Sequence, residues 1–549
     1  MHRQKLLKER SRRAADRLLA LRALPGYDCG MKSTASADAV GPQNAAPRDE
    51  TVIEAAQLRR MARAHWAADR PDAALAAAWA AYEAQAEDRN GRALLARLLH
   101  RYPHRVGRDK KDALLGLLRH PQVDPDEISP AGWHLIGSAD GRWTDPRDDA
   151  DLTALAAFVD GDDLARALLE ESPVADRAVE RTLTRLRRWL LLAGGWPNFP
   201  RLVAALCAQA TLNGGAWPFD ETERALLGGA SRAIVAAYLP EGGTPTTPIA
   251  GGDAHAVTQA MRQMYEGWPF PPWRRITMAS GMSLRDEVRQ LDPNGPESIP
   301  VDASVLVAGC GTGREAALVA LAYPQTRVAA IDLSAANIDH ARRRCAAIGA
   351  TNIRFQRLDL HDCAQLGERF DAIFCSGVLH CLPDPEAGWS ALAAILRPGG
   401  IMKVMVYSRI TRFQVTAARS LIADLLAEPV DDDLLRRVRR RIMERADHAA
   451  AKRIMETQIF STLAGTYVVL VRPHEDPFDV ARIARALDHI GLRLIAFLLP
   501  SPDAIARYAA QYPHDPLHRD TAAWARFEKS ELPRNAGQYV FMCRKPLAD

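Results

Sequence analysis

A chain of 549 residues is too long to close around one hydrophobic core, so two or three domains are expected. Its 48% hydrophobic and 25% charged residues describe an ordinary globular protein. A formal net charge of +4 is too small to neutralise nucleic-acid phosphates over a broad face, and no run approaches the roughly 20 apolar residues of a membrane helix, so neither nucleic acid nor membrane is an expected partner.

Residues 1–50 read as a basic leader without a packed core. The opening MHRQKLLKERSRRAADRLLALRAL can wind into an amphipathic helix, but it lacks the apolar centre and cleavage site of a secretory signal. A solvated extension is expected, with Met31 an alternative start. Residues 26–50 are rich in Gly, Ser, Ala and Pro and have no apolar period. The eight cysteines form no CxxC pair and no repeated spacing. Disulfide frameworks and zinc sites both need such spacing, so a reducing, cytoplasmic setting without a metal is expected.

Residues 51–240 read as an α-helical domain. Leu58, Met61, Ala62 and Trp66 recur at helical intervals, and Pro71-Asp72 starts a second helix carrying Ala74, Ala78, Trp79 and Tyr82. The pair is weakly tetratricopeptide-like, but a solenoid needs about three such units and one poor copy is found. Further helices are expected in DDLARALLEESP, DRAVERTLTRLRRWLLLAGG, PRLVAALCAQATLNGG and DETERALLGGASRAIVAAYLP. Asp precedes several of these starts, as a helix N-terminus prefers. The stretch EGGTPTTPIAGGD, 241–253, is the clearest linker.

From residue 254 to the end the rhythm changes to short apolar strands alternating with helices. Strands are expected at Val305–Ala308, Thr326–Ile331, Ile353–Leu358, Phe370–Cys375 and Met402–Tyr407, with helices at Arg314–Tyr323, Ser334–Ile348 and Glu386–Leu396 between them. A helix at Val480–His489 and strands at Leu492–Leu499 and Gln538–Cys543 follow. The alternation predicts a Rossmann-like, mostly parallel α/β sheet with helices on both faces. No good crossover helix joins the final two strands closely, so an antiparallel last pair is expected. A long helical insert, 408–477, separates the fifth strand from the helix at 480.

The chemistry gathers at the strand ends. VLVAGCGTG places Gly309, Gly311 and Gly313 between a strand and a helix, where residues without Cβ let the backbone approach a ligand. Asp332 closes the second strand, where an acid can receive a ribose hydroxyl, and Asp359 closes the third, where it can accept from an adenine amino group. An adenosine-type ligand is expected. A nicotinamide dinucleotide is a rival, but its G-x-G-x-x-G fingerprint fails at Arg314.

The run G-x-G-x-G with Asp332 and Asp359, then FDAIFCSGVLHCLPDP and LRPGGIMKVMVYS, resembles the motifs of class I S-adenosylmethionine-dependent methyltransferases. QMYEGWPFPPW, NFPRLVAALCAQATLNGGAWPF and GQYVFMCRKP are similar to bacterial members that follow tetratricopeptide-like regions, so the resemblance spans about 150–549. It implies S-adenosyl-L-methionine as cofactor and a seven-stranded sheet. It also implies a cofactor site at Gly309, Gly311, Gly313, Asp332, Leu333, Asp359, Leu360 and Ser376. The family often carries an acid at the start of the glycine loop, where this chain has Ala308 and Gly309; the cofactor's amino group is then left to backbone carbonyls or a residue from elsewhere.

Methyl transfer rests on alignment and removal of water, and needs a base only where the acceptor is still protonated. His380, in the loop after the fourth strand, is the candidate catalytic base, against a packing role of equal weight. Tyr265 and Trp273 are placed to cover the cofactor or cage its sulfonium, against simply filling core. Cys375 and Cys381 flank the same loop; a cysteine-nucleophile mechanism is set against core packing, which is favoured. The fourth strand's Cys-Ser-Gly-Val also lacks the Asn-Pro-Pro-aromatic cluster of amide and exocyclic-amine methyltransferases. Arg436, Arg437, Arg439, Arg440 and Arg441 in the insert either grip an acidic acceptor or form a solvated helix, the latter favoured, with the insert as a lid. His514, Asp515 and His518 do not fit a zinc spacing. The expected activity is methylation of a protein, peptide or small-molecule acceptor. The alternatives are a catalytically idle cofactor-binding scaffold that recruits a partner through its helical half, or a nicotinamide-dependent oxidoreductase.

Overall fold

The computed structural model describes residues 50–137, 143, 146, 148–239, 254–278, 283–499, 502–531 and 537–547. The basic leader and the 241–253 linker lie outside them. The described residues from Glu50 onward form one compact unit.

Helices run from Glu50–Ala67 through Pro71–Ala84, Arg89–Arg101, Lys111–Arg119, Pro125–Gly137, Asp149–Gly161, Asp163–Glu171, Arg177–Ala193, Pro200–Asn213 and Glu221–Leu227 to Arg232–Ala236. Aspartates start them as the sequence suggests. Asp88 accepts from Asn90 N and Gly91 N, Asp162 from Ala165 N, and Asp176 from Ala178 N and Val179 N. Asp220 and Glu223 complete a reciprocal capping box. Each such cap is worth about 1 kcal/mol. The inward faces close on one continuous cluster that includes Trp66, Trp79, Leu95, Trp133, Leu168, Leu186 and Trp217. That single cluster lends no support to the tetratricopeptide likeness.

The C-terminal part is a seven-stranded sheet in the order β3-β2-β1-β4-β5-β7-β6. Its strands are β1 (Ser304–Ala308), β2 (Arg327–Asp332), β3 (Ile353–Arg357), β4 (Phe370–Ser376), β5 (Leu396–Tyr407), β6 (Arg493–Phe497) and β7 (Gln538–Arg544). Strands β1 to β5 pair in parallel, and β7 lies antiparallel between β5 and β6. Every residue of β1 is buried, as a central strand covered on both faces requires. The two faces pack into separate clusters, one around Trp389 and Phe541, the other around Val305 and Ile338. The antiparallel end was legible in the sequence; the helices Pro502–Gln511 and Thr521–Glu531 between β6 and β7 were not.

The insert is helical, with Arg409–Ser420, Asp432–Glu444, Ala449–Met455 and Leu463–Thr466, followed by a π-helical turn at Tyr467–Val471. Its apolar core is shared with Met261 and Met264 of the helix Ala254–Gly267, with Trp268 just past its end, and with Ala216 of the helical part. The solvated-helix reading of its arginine run is corrected here. Arg436 and Arg439 are buried, and Arg439 Nη2 lies 2.6 Å from Glu180 Oε1. Arg436 Nε and Arg439 Nε donate to the carbonyls of Gly215 and Ala216. Only the outer positions behave as expected: Arg437 pairs with Glu428 and Arg441 with Asp424. The inner arginines fasten the insert to the helical part, so they are not free to grip a substrate. No described helix is long and apolar enough to cross a membrane.

Candidate active site

The glycine turn leaves β1 and enters the helix Arg314–Ala322. Gly311 sits at φ +53°, and a Cβ there would stand 2.5 Å from the Phe270 carbonyl oxygen. That carbonyl also accepts Thr312 N at 3.1 Å, so the segment ahead of the sheet is drawn tightly over the loop. At Gly313, φ +89°, a Cβ would meet Ala341 Cβ at 2.7 Å. Only glycine lets the two helices after β1 and β2 approach this closely.

Asp332, at the end of β2, is buried and faces the turn. Its Oδ2 accepts Gly311 N at 2.8 Å, and its Oδ1 accepts Ser334 N at 2.9 Å and Asn337 Nδ2 at 3.1 Å. A carboxylate offers about four acceptor positions, so one is left over on Oδ2. Burial raises its pKa above the usual aspartate value, and the three donors hold it back. Glu266 reaches across from Ala254–Gly267 to accept Ala335 N and Ala336 N at 2.8 and 2.9 Å, capping the helix after β2. Asp359, beyond β3, accepts His361 N through Oδ1 at 2.9 Å and is held below the usual range chiefly by the His361 ring at 3.0 Å. Its Oδ2 takes no hydrogen bond from the described residues.

These strand ends open into one cavity of about 450 Å³. Tyr265, Gly309, Gly311, Asp332, Leu333, Asp359, Leu360 and Ser376 all line it. Leu358, Leu382 and Pro383 add flat apolar surface near Asp359, and Ser376 Oγ donates to Glu315 Oε1 at 2.8 Å. An apolar slot ending in one acceptor, next to a carboxylate with one free lone pair, suits a purine riboside. A cavity of similar volume, about 470 Å³, opens at Trp143, Arg181, Arg185 and Met443, but no acid or glycine turn lines it.

Three expected site residues are not at this cavity. Gly313 serves the helix–helix contact just described. Trp273 is buried in the core behind the turn, its Nε1 donating to the Thr312 carbonyl at 2.9 Å, so it braces the loop from outside. His380 is fully buried beneath Tyr407, with ring centroids 4.0 Å apart. Its Nδ1 accepts Tyr407 N at 3.4 Å, and its Nε2 is buried without a partner. Burial, helped by Arg472 and Arg412, pushes its pKa well below the histidine norm. A weak base sealed under a tyrosine cannot take a proton from a substrate; His380 supports Tyr407 instead. Cys375 is likewise core, with burial driving its thiol pKa up.

The sequence reading missed residues that do line the cavity, notably Arg314, Glu315, Lys403, Tyr407 and Arg472. Arg314 was legible as the first residue after the glycine turn. Its guanidinium reaches Asp124 of the helical part at 2.8 Å. Arg472 carries no local signal, because only the π-turn at the end of the insert brings it to the sheet.

Residues 305–400 match the family model described as a methyltransferase domain. An uncharacterized protein of Synechococcus sp. is 32% identical over 270 residues, 44% of this chain and 60% of that protein. The trans-aconitate 2-methyltransferase of Deinococcus radiodurans is 36% identical over 139 residues, 25% of this chain and 49% of its own length. The tRNA 5-carboxymethoxyuridine methyltransferase of Escherichia coli is 33% identical over 126 residues, covering 23% and 46%. The chain thus spans between 46% and 60% of these relatives' own length. Taken with the strand order, the glycine turn and the acids ending β2 and β3, the match identifies the sheet as a class I S-adenosylmethionine-dependent methyltransferase domain.

Proposed function

We propose that the chain transfers a methyl group from S-adenosylmethionine to a small-molecule acceptor that enters on the insert side of the cavity. The observation that carries this reading is the buried Asp332 carboxylate, held by the glycine turn with one acceptor position left toward the cavity. Asp332 takes a ribose hydroxyl, Leu333, Leu358 and Leu360 pack the adenine, and Asp359 accepts its amino group. Gly309, Gly311 and Ser376 face the methionine portion, and Tyr265 closes over the site. When bound, the cofactor supplies a methyl group on a positively charged sulfur, which a nucleophile can displace directly.

The protein's part is to align and to dry the site. With His380 out of reach, no general base is assigned to the chain. The Tyr265 and Cys381 side chains, both raised in pKa chiefly by burial, hold their protons more tightly than usual. An acceptor that arrives already deprotonated needs no base from the chain. Two relatives carry acceptor names, trans-aconitate and tRNA 5-carboxymethoxyuridine, and they are chemically different molecules. A cavity of about 450 Å³, part of which the cofactor would fill, favours the smaller kind.

Calorimetric titration with S-adenosylhomocysteine tests the reading. Micromolar binding that weakens about ten- to a hundredfold in Asp332→Ala, with no binding of NAD, is the expected outcome. Binding of NAD alone would replace the assignment with a dinucleotide enzyme. Cofactor binding without methylation of any acceptor pool would leave a cofactor-binding scaffold.

A further inference from the structure

The insert reaches the cavity through Arg472. The Tyr467–Val471 turn ends at Arg472, whose side chain is 3% exposed and lines the cavity with Tyr265, Cys381 and Tyr407. Its Nη1 donates to Cys381 Sγ at 3.1 Å and lies 3.3 Å from Glu475 Oε2. Its Nε is buried without an acceptor, and no described residue accepts from Nη2. The Nε–Nη2 edge is the one whose spacing matches the two oxygens of a carboxylate. Inside the protein it is unused.

Charge around it is also out of balance. Arg412 grips Glu475 through both Nε and Nη2, which leaves that carboxylate little to give Arg472. Arg419 adds a third guanidinium, its Nη1 3.5 Å from the Arg472 carbonyl. Three cations therefore share one anion on this side. The other cavity acids are committed: Asp332 to the turn, Asp359 to His361, and Glu315 to Ser376 with Lys403 3.9 Å away. A buried guanidinium that must share its counter-ion with a neighbour is only partly compensated, and a second anion completes its pairing.

Resting on the methyltransferase reading above, we propose that Arg472 is the specificity residue for the acceptor, and that the acceptor is a small organic acid whose carboxylate pairs with its free edge beside Tyr265 and Tyr407. A neutral acceptor would leave the Nε–Nη2 edge without an anion. A phosphate would demand more donors than one edge presents.

The test uses the full chain saturated with S-adenosylhomocysteine, titrated calorimetrically with a panel of small mono- and dicarboxylic acids and their primary amides. At least one acid is expected to bind, with its amide at least tenfold weaker. Arg472→Gln should weaken that acid at least tenfold and leave S-adenosylhomocysteine affinity within twofold. If Arg472→Gln does not fold, Arg472→Lys, which keeps the charge and loses the fork, should weaken the acid about tenfold. Amides binding as well as acids, no acid binding, or acid affinity unchanged in the variant each overturns the proposal. A loss of S-adenosylhomocysteine affinity instead would mean that Arg472 holds the cofactor's own carboxylate, which also overturns it. Failure of the wild-type chain to bind S-adenosylhomocysteine would sink the methyltransferase reading, a result distinct from all of these.

Discussion

The two walls of the cavity are made in different ways. The sheet wall consists of strand ends and the turns that follow them, so Gly311, Asp332 and Asp359 each lie within a few residues of a strand terminus, and most of their polar atoms are satisfied within a neighbouring turn. The insert wall takes Tyr265 from the helix ahead of the sheet, Tyr407 from the end of β5, Cys381 from the loop after β4 and Arg472 from far beyond. It keeps unspent N–H groups. A satisfied, locally built wall suits a ligand that every relative shares. An assembled wall with leftover charge suits the ligand that differs between relatives.

If the walls are independent, damage to one should spare the other. The largest effect is expected at Glu180, where Arg439 and Arg177 both contact one buried carboxylate. Glu180→Gln leaves two buried guanidinium groups without an anion, a loss of roughly 3–5 kcal/mol in urea unfolding. S-adenosylhomocysteine affinity should stay within threefold, because no sheet-wall contact is touched. Collapse of that affinity would show that the walls stand or fall together. Gly311→Ala is the converse. Its new Cβ meets the Phe270 carbonyl at a positive φ, so about 3 kcal/mol of strain and overpacking falls on the turn itself. Cofactor binding should drop at least a hundredfold while carboxylic-acid binding to the apo chain changes little.

This division also explains what could be read from the sequence. Seven strands, the antiparallel end, the glycine turn and both acids follow from period, spacing and turn chemistry, all local signals. Asp332 and Asp359 could be read as site candidates because the strand ends deliver them to the cavity. His380 was misjudged for the same reason. Its place in the chain is the right loop, but whether a side chain on a short 3₁₀ turn faces in or out is decided by the packing of Tyr407, which approaches from another strand. The arginine run at 436–441 was read as solvated because its partners, Glu180, Gly215 and Ala216, lie more than two hundred residues away. Arg472 had no local mark at all.

A smaller effect sharpens the sheet wall. Asp332→Ala removes the proposed ribose contact and frees Gly311 N, Ser334 N and Asn337 Nδ2 together. Cofactor affinity should fall by roughly 1.5–3 kcal/mol, as expected for a hydrogen bond to a charged group. Asp332→Asn, which keeps one acceptor oxygen, should lose less by the same calorimetric measure. Equal losses would place the ribose elsewhere.

The smallest effect concerns the contact that ties the sheet wall to the helical part. Arg314, first residue after the glycine turn, pairs with Asp124, and Asp126 lies beside that pair with Ser172 Oγ donating to it at 2.7 Å. Burial, and then the Asp124 charge, push Asp126 up to about 7, against the opposing pull of Ser172 and Arg314, with Glu127 adding a little in the same direction. Since the folded value lies above the unfolded one, the folded chain keeps a proton that the unfolded chain has released between about pH 4 and 7. The stabilisation is full below that window and is lost as the pH rises through it. Asp126→Asn mimics the protonated form without titrating, so its stability relative to the wild type should rise from pH 6 to pH 8 by roughly 1–2 kcal/mol and level off above. Chemical unfolding at the two pH values measures it. A wild type that instead gains on the variant as the pH rises would mean that Arg314 already holds Asp126 ionised, and that the glycine turn is anchored to the helical part by two carboxylates rather than one.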